Sequence, residues 1–329
     1  MNQRLLCIFH GSCDDGFGAA WAVRHAFNAH AEKLNDYTGI DFVPGIYAGK
    51  VPDVRGRHVL MVDFCYPMPI MGQMLDVCAS MTVLDHHKSS MLDVLAWAED
   101  QPEVLVASQN DGRLVGLTTS KAKLLFDMDR SGAMMAWDYY HVEDKPPRFI
   151  DYIQDHDLWT KKLDRIDEFT AGLRSYPMEF EVWDEFQHWS PFEQLLLEGT
   201  HILRYKRQLV DIAVKNSFEV KLQMPIPNPS NPESRGTMWR IRGANVPPAI
   251  ASEVGEALAL KYGGIGLTWV EGYKWIYSLR SRPVGDQPAV DVSLIAKAFD
   301  GGGHAQASGF KTTAPVHAKW LDNEDEEEG

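Results

Sequence analysis

The sequence is poor in cysteine. Its 329 residues hold four (Cys7, Cys13, Cys65 and Cys78), with no CxxC pair and no regular spacing among them. That excludes a disulfide framework and fits reduced thiols in a reducing compartment. Long apolar runs are also missing: no uncharged stretch approaches the roughly 20 residues that a bilayer span requires. The opening MNQRLLCIFHGS carries one Arg but no apolar core segment or cleavage site of a signal peptide, so the expected location is cytoplasmic. There is no internal repeat. Basic residues are in deficit, with 32 Lys and Arg against 46 Asp and Glu, a formal net charge of −14. Six of the acids lie in residues 322–328, leaving about −8 on the rest. A net-negative body disfavours sequence-independent gripping of long nucleic acid, which depends on releasing counterions from many phosphates. It leaves room for a short phosphorylated ligand held by a metal and a few local basic groups.

What is present is an ordinary globular composition, 45% hydrophobic and 24% charged, and about two domains' worth of chain at roughly 150 residues each. In the first third, LLCIF (5–9), HVLMVDF (58–64) and MTVLDHH (81–87) are continuous apolar runs ending in polar residues. Each precedes a segment of helical spacing, which predicts parallel strands buried on both faces with crossover helices between them. Such sheets place their sites at the carboxyl ends of the strands. Helices are expected over 131–140, with Ser131 as N-cap, over 147–159, with Pro146 and Pro147 in the first turn, and over 195–214. MPIPNPSNPESRG (224–236) packs four of the 18 prolines into 13 residues and reads as a loop or boundary. Beyond it, MWRIRGA, GLTWV and WIYSLRS as strands and IASEVGEALALKY as a helix predict a smaller α/β unit. DNEDEEEG reads as a solvated acidic tail.

The strand ends carry the chemistry. His10-Gly-Ser-Cys13-Asp14-Asp15-Gly16 places an imidazole, a thiol and two carboxylates within six residues. Alone, it fits a helix-capping loop as well as a divalent-metal site. Asp63 ends a buried run, where a carboxylate is costly unless it is paired or metal-bound. Asp85-His86-His87 sets three ligand-type residues at one strand terminus, and alternation sends the two histidines to different sides. Asp155 and Asp157 follow in a helical stretch and cannot share a face if that helix continues; by spacing alone they fit an exposed helix end. Three glycines, Gly301 to Gly303, precede His304 and Ser308. Such a run allows close backbone approach, and a following helix start would aim N–H groups at an anion. With Arg280 upstream, this reads as a phosphate or nucleotide cradle.

Taken together, VLDHHKS (83–89) and FDGGGHAQASGF (299–310), with the clusters at 10–16, Asp63 and Asp155, resemble the DHH phosphoesterase superfamily with a C-terminal DHHA1 domain. The resemblance spans the chain and points to the oligoribonuclease branch. It implies an α/β fold with a parallel-sheet catalytic domain over 1–190 and a connecting helix and Pro-rich linker over 191–235. A smaller α/β substrate-binding domain over 236–315 and an acidic tail over 316–329 would follow, with the active site in the cleft between the two domains. It further implies two Mn2+ ions, with Mg2+ or Co2+ as substitutes. His10 would bind the first ion, Asp15 the second, and Asp63 both. His86 and Asp155 would complete the ligand set of the second ion, Asp85 would orient His86, and His87 would contact the scissile phosphate. Arg280, Gly301, Gly302, Gly303, His304 and Ser308 would hold the substrate. Family members show two aspartates one residue apart after the His. Here that role falls to Asp14 or, on the other alignment, to Cys13, whose thiolate would favour softer metals.

The function so implied is metal-dependent hydrolysis of short oligonucleotides to 5′-mononucleotides by a monomer or homodimer, with no long duplex and no membrane as partner. A linear or cyclic dinucleotide phosphodiesterase and a 3′-phosphonucleotide phosphatase are neighbouring readings. A non-catalytic nucleotide-binding module, permitted by Cys13, is the reading of another class.

Overall fold

The computed structural model describes residues 3–47, 49–142, 144–223 and 238–319. The proline-rich stretch at 224–236 and the acidic residues at 322–328 lie outside them. The chain divides into two compact units, Met1–Ile202 and Leu203–Gly329. Among the described residues no helix is long and apolar enough to cross a membrane.

The first unit is built on a seven-stranded sheet. Its strands are β1 (Arg4–His10), β2 (Gly39–Gly45), β3 (His58–Val62), β4 (Ser80–Asp85), β5 (Leu105–Gln109), β6 (Leu114–Thr118) and β7 (Ala122–Asp127), in the order β2-β1-β3-β4-β7-β6-β5. Neighbours from β2 to β7 are parallel, while β6 and β5 run antiparallel at one edge. The helices are α1 (Asp14–Asn28), α2 (Met68–Val77), α3 (Lys88–Glu99), α4 (Gly132–Tyr140), α5 (Arg148–Asp157), α6 (Ile166–Leu173), α7 (Phe180–Glu185) and α8 (Trp189–Lys215).

The apolar runs end up buried on both faces, as their continuity requires. Leu5, Cys7 and Phe9 of β1 join Leu60, Val62 and Leu84 in one core, with Trp21 of α1 and Trp137 of α4. Leu6 and Ile8 face the opposite core with Met61 and Val83, under Met71 and Met74 of α2 and Val94 of α3. β2 and β3 flank β1 on opposite sides, so the strand order reverses there. That opens a crevice at the carboxyl ends of β1 and β3, where sites in open α/β sheets form.

The second unit holds another seven-stranded sheet. Its strands are β8 (Phe218–Gln223), β9 (Met238–Asn245), β10 (Ile265–Glu271), β11 (Trp275–Ser281), β12 (Gly302–His304), β13 (Ala307–Thr312) and β14 (His317–Lys319), with helices α9 (Pro248–Tyr262) and α10 (Val292–Lys297). The order is β12-β13-β11-β10-β9-β8-β14, parallel only between β9 and β10. The division between units falls inside α8. β8 comes from the stretch read as connector and β14 from the stretch read as tail.

Two local expectations are corrected. The helix expected over 147–159 begins after Pro147, which takes the N-cap position, and stops at Asp157. Among the described residues no helix follows the glycine run: Gly302–His304 is a strand that turns back onto β13. The glycines answer in part to that hairpin. Gly303 has φ +135°, and a Cβ there would lie 2.6 Å from the Ala307 carbonyl oxygen, whereas at Gly302 it would meet open space.

Candidate metal centre

Three strand ends and two helix ends converge at the crevice. β1 delivers His10, β3 is followed at once by Asp63, and β4 ends in Asp85 with His86 and His87 directly after it. The first turn of α1 adds Asp15 with Cys13 as its N-cap, and the last residue of α5 is Asp157. Asp63 has φ +54°, the left-handed region that Asp tolerates better than most residues, and its N–H donates to Leu84 O at 2.8 Å. That turn brings its carboxylate back into the crevice, where it is 1% exposed.

Asp63 is the hub. Its Oδ1 lies 3.1 Å from His86 Nε2 and 3.9 Å from His87 Nδ1, and its Oδ2 lies 3.4 Å from His10 Nδ1. His86 Nε2 also faces Asp157 Oδ2 at 3.4 Å and Asp15 Oδ2 at 3.6 Å. The donors group in threes: His10, Cys13 and Asp63; Asp63, His86 and His87; Asp15, His86 and Asp157. Asp63 belongs to two of these and His86 to two, so the groups form one continuous cluster.

The electrostatics are those of a site short of positive charge. Burial, with the charges on Asp63 and Asp157, pushes the Asp15 carboxyl well above its ordinary range. Asp157 is raised for the same first reason. Burial also opposes charge on Asp63, but the facing His10 and His86 imidazoles win and hold it down at about 2. Burial disfavours a charged His86, yet the three surrounding carboxylates lift it to about 9. Burial pushes the Cys13 thiol up to about 12, so it stays protonated unless a cation draws the proton off. Buried carboxylates in this number are stable only when paired or coordinated. His10 Nδ1 and Asp63 Oδ2 are both buried with no hydrogen bond among the described residues. The residues present therefore fit divalent cations. An oxygen and nitrogen donor set suits metals such as manganese or zinc, and the Cys13 thiol at one end shifts that end toward softer ions.

Side chains outside the cluster hold it in shape. Asp85 is fully buried, and its Oδ1 accepts from His86 N at 2.8 Å and from His87 Nδ1 at 2.6 Å. The ring it orients is therefore that of His87, not His86 as expected, because β4 ends at Asp85 and the chain turns the next residue's ring away. Asp15 reaches across to α4, accepting from Gly132 N at 2.6 Å and Ala133 N at 2.9 Å. Two unsatisfied N–H groups of a helix start are thereby met by a carboxylate from another element. Gly132 is there for space: a Cβ would lie 2.3 Å from Asp63 Cβ.

The structure brings together His10, Cys13, Asp15, Asp63, Asp85, His86 and His87 of the expected residues, and leaves two aside. Asp14, the first residue of α1, points to Arg174, whose Nε donates to its Oδ2 at 2.6 Å. Cys13 stands in the donor group in its place. Asp155 turns away from the cluster into the loop after α5, accepting from Thr160 Oγ1, from Lys162 N at 2.9 Å and from Leu163 N at 3.0 Å. Asp157 occupies the position expected for it. Sequence reasoning missed this exchange and missed Gly132. A helix stop at 157 would have signalled the first, but no residue type announces the second.

In the second unit, Ser308 is buried and donates its hydroxyl to Val292 O at 2.6 Å. Arg280 donates to Leu279 O and to Ser252 Oγ. Both are engaged within their own fold, while Gly302, Gly303 and His304 are exposed on the hairpin and Gly301 is half-buried.

No protein-family model matches the chain. An uncharacterized protein of Acanthamoeba polyphaga mimivirus is 26% identical over 319 residues, which is 92% of this chain and 66% of that protein. The chain thus spans just under two thirds of that relative's length. Among solved structures, a pGpG-specific phosphodiesterase from Vibrio cholerae matches at 14% identity and a TM-score of 0.44, over 95% of this chain and 93% of that one. An exopolyphosphatase-related protein from Bacteroides fragilis matches at 12% and 0.41, over 95% and 88%. An uncharacterized protein from Helicobacter pylori G27 matches at 12% and 0.35, over 99% and 97%.

Proposed function

We propose that this chain is a metal-dependent phosphodiesterase of the DHH type that hydrolyses short oligonucleotides, including dinucleotides, to 5′-mononucleotides. The observation that carries the reading is the Asp63 hub, one buried carboxylate common to two donor groups at the carboxyl ends of β1, β3 and β4. Cys13, His10 and Asp63 would hold one divalent cation, and Asp15, His86, Asp157 and Asp63 a second, with Mn2+ the expected ion. Such a pair, when bound, polarises a phosphoryl oxygen and acidifies water for in-line attack. Asp85 fixes the His87 ring through Nδ1 and, against the cost of burial, raises its proton affinity. His87 is thereby suited to donate from Nε2 to a phosphate oxygen or to the departing 3′-oxygen. Asp63 and Asp15 need no rearrangement to present oxygens, because neighbouring N–H groups and imidazoles already fix them. In the second unit, the exposed Gly302, Gly303 and His304 are the candidates for a phosphate or nucleotide contact. Ser308 and Arg280 are spoken for.

A second reading, a nucleotide-binding module without turnover, is favoured by one observation: Cys13, and not a second carboxylate, accompanies His10 and Asp63. The deciding experiment is hydrolysis of a 5′-labelled RNA ladder from dinucleotide to 24-mer, with Mn2+, with EDTA, and with H86A. Mn2+-dependent loss of the shortest species, absent in H86A, supports the enzyme. Binding without cleavage, with one ion or none per chain, supports the module. Fastest cleavage of the longest strands would overturn the preference for short substrates.

A further inference from the structure

The loop that Asp155 organises, residues 158–165, plays no part in the donor groups, yet it borders them. Trp159 stands on it 74% exposed, with a left-handed φ of +55° that bulky residues rarely adopt. Lys161 and Arg165 share that conformation, at φ +47° and +59°. The buried Asp155 carboxylate pins this loop, accepting from Lys162 N, Leu163 N and the Thr160 hydroxyl, and Tyr152 adds a fourth bond by donating to Asp164 O at 3.0 Å. A bent, over-determined loop is a means of holding one side chain out in a fixed place.

Trp159 is held at the edge of a cavity of about 210 Å³, which it lines together with Cys13, Asp15, His156, Asp157 and Arg174. That is the volume of roughly seven waters, which suits one flat ring system. Its lining thus joins donors of the metal centre to an aromatic and cationic group: the His156 ring lies 5.9 Å from the indole, and the Arg174 guanidinium 3.4 Å from His156 Nε2. Lys161 Nζ lies 5.5 Å from the indole centroid. A phosphate held by the metal centre would have its attached base within the same cavity as the indole.

We propose that Trp159 is a stacking platform for a nucleobase of the substrate, presented by the Asp155-anchored loop. The proposal rests on the phosphodiesterase reading and deepens it. It makes the substrate a nucleotide, recognised by its base, and not a polyphosphate or sugar phosphate. Base–aromatic stacking is sequence-tolerant because every base has a π-face, so the platform selects for the presence of a base and little for its identity.

The test compares the dissociation constants of AMP and ribose 5-phosphate for the full chain with Mn2+ by titration calorimetry, so that no turnover is needed. The wild-type protein is expected to prefer AMP by about 10-fold or more, within the range stacking supplies. W159A should bring that preference close to one and W159F should keep most of it. W189A, which removes an indole 68% exposed and stacked under Arg148, should leave it as in the wild type. Should W159A not fold, W159L reads the same loss of the π-face. A wild-type preference near one, or a W159A preference within twofold of wild type, overturns the platform. Turnover of pApA by the wild-type protein is scored separately. Its absence beside an intact AMP preference would overturn the phosphodiesterase reading and leave the platform standing.

Discussion

Replacing Gly132 by Ala tests the centre through a residue that carries no donor atom. The added Cβ would sit 2.3 Å from Asp63 Cβ, 2.8 Å from its Cγ and 2.9 Å from its Cα. Carbon atoms rest at about 3.5–4.0 Å, so a displacement of more than about 1 Å is required. Neither side yields freely. Asp63 is buried and tied to Leu84 through its backbone, and the start of α4 is tied to Asp15 through Gly132 N and Ala133 N. Overpacking costs about 1–3 kcal/mol, and a strained bond to a charged group adds to that. With a loss of about 3 kcal/mol, at roughly 2–4 °C per kcal/mol for a unit of this size, Tm should fall by about 6–12 °C. A displacement of this kind in the catalytic constellation should lower turnover about 100-fold. The assays are calorimetric melting, Mn2+ titration and dinucleotide hydrolysis. G72A is the control: its Cβ meets nothing within 4 Å inside α2, and it should gain about 0.5–1 kcal/mol. A G132A protein with wild-type Mn2+ affinity and turnover would refute the assignment of Asp63 as the hub.

D157A and D155A should part company. The first is expected to bind one ion fewer by elemental analysis and to lose turnover with little change in melting. The second should keep its ion count and lose about 2 kcal/mol with its loop anchor. C13D should tighten Mn2+ relative to Cd2+ at the His10 end, read as the ratio of the two dissociation constants; an unchanged ratio would remove Cys13 from the donor set. Finally, burial lowers the proton affinity of His25, and of His141, which is stacked on Trp137 at 3.8 Å. The unfolded chain, with histidines near 6.5, then binds more protons than the folded one. Stability from these groups is full above that value and is lost as pH falls below it. Melting between pH 7 and 5 should show this loss, and H25F/H141F should flatten it.

The sheet around the site was legible because its strands are continuous apolar runs. β1, β3 and β4 each combine burial on two faces with a polar terminus, and the site follows from where such termini lie. β2, with its Pro44 and two glycines, and β5, exposed throughout, carry no comparable pattern and went unread. The errors within the site share one cause: which carboxylate enters depends on the turn at which a helix begins or ends. α1 begins at Asp14, so the helical rotation of one residue sends Asp15 inward and Asp14 out to Arg174. α5 stops at Asp157, so its last carboxylate, and not one half a turn earlier, meets His86. Residue type fixes the chemistry of such positions, while a backbone boundary of one or two residues decides which of them is used.

Asp15 faces two ways, toward His86 on one side and toward the first N–H groups of α4 on the other. The second allegiance does not wait for an ion. Docking of α4 against α1, and with it the stack of Trp21 on Trp137, is sealed by the polypeptide alone. The α4 side of the metal cage therefore keeps its hydrogen bonds with or without a cation. Cations should enter and leave it as cargo does a fixed berth, so that chelation empties the protein without unravelling it and resupply restores it without refolding.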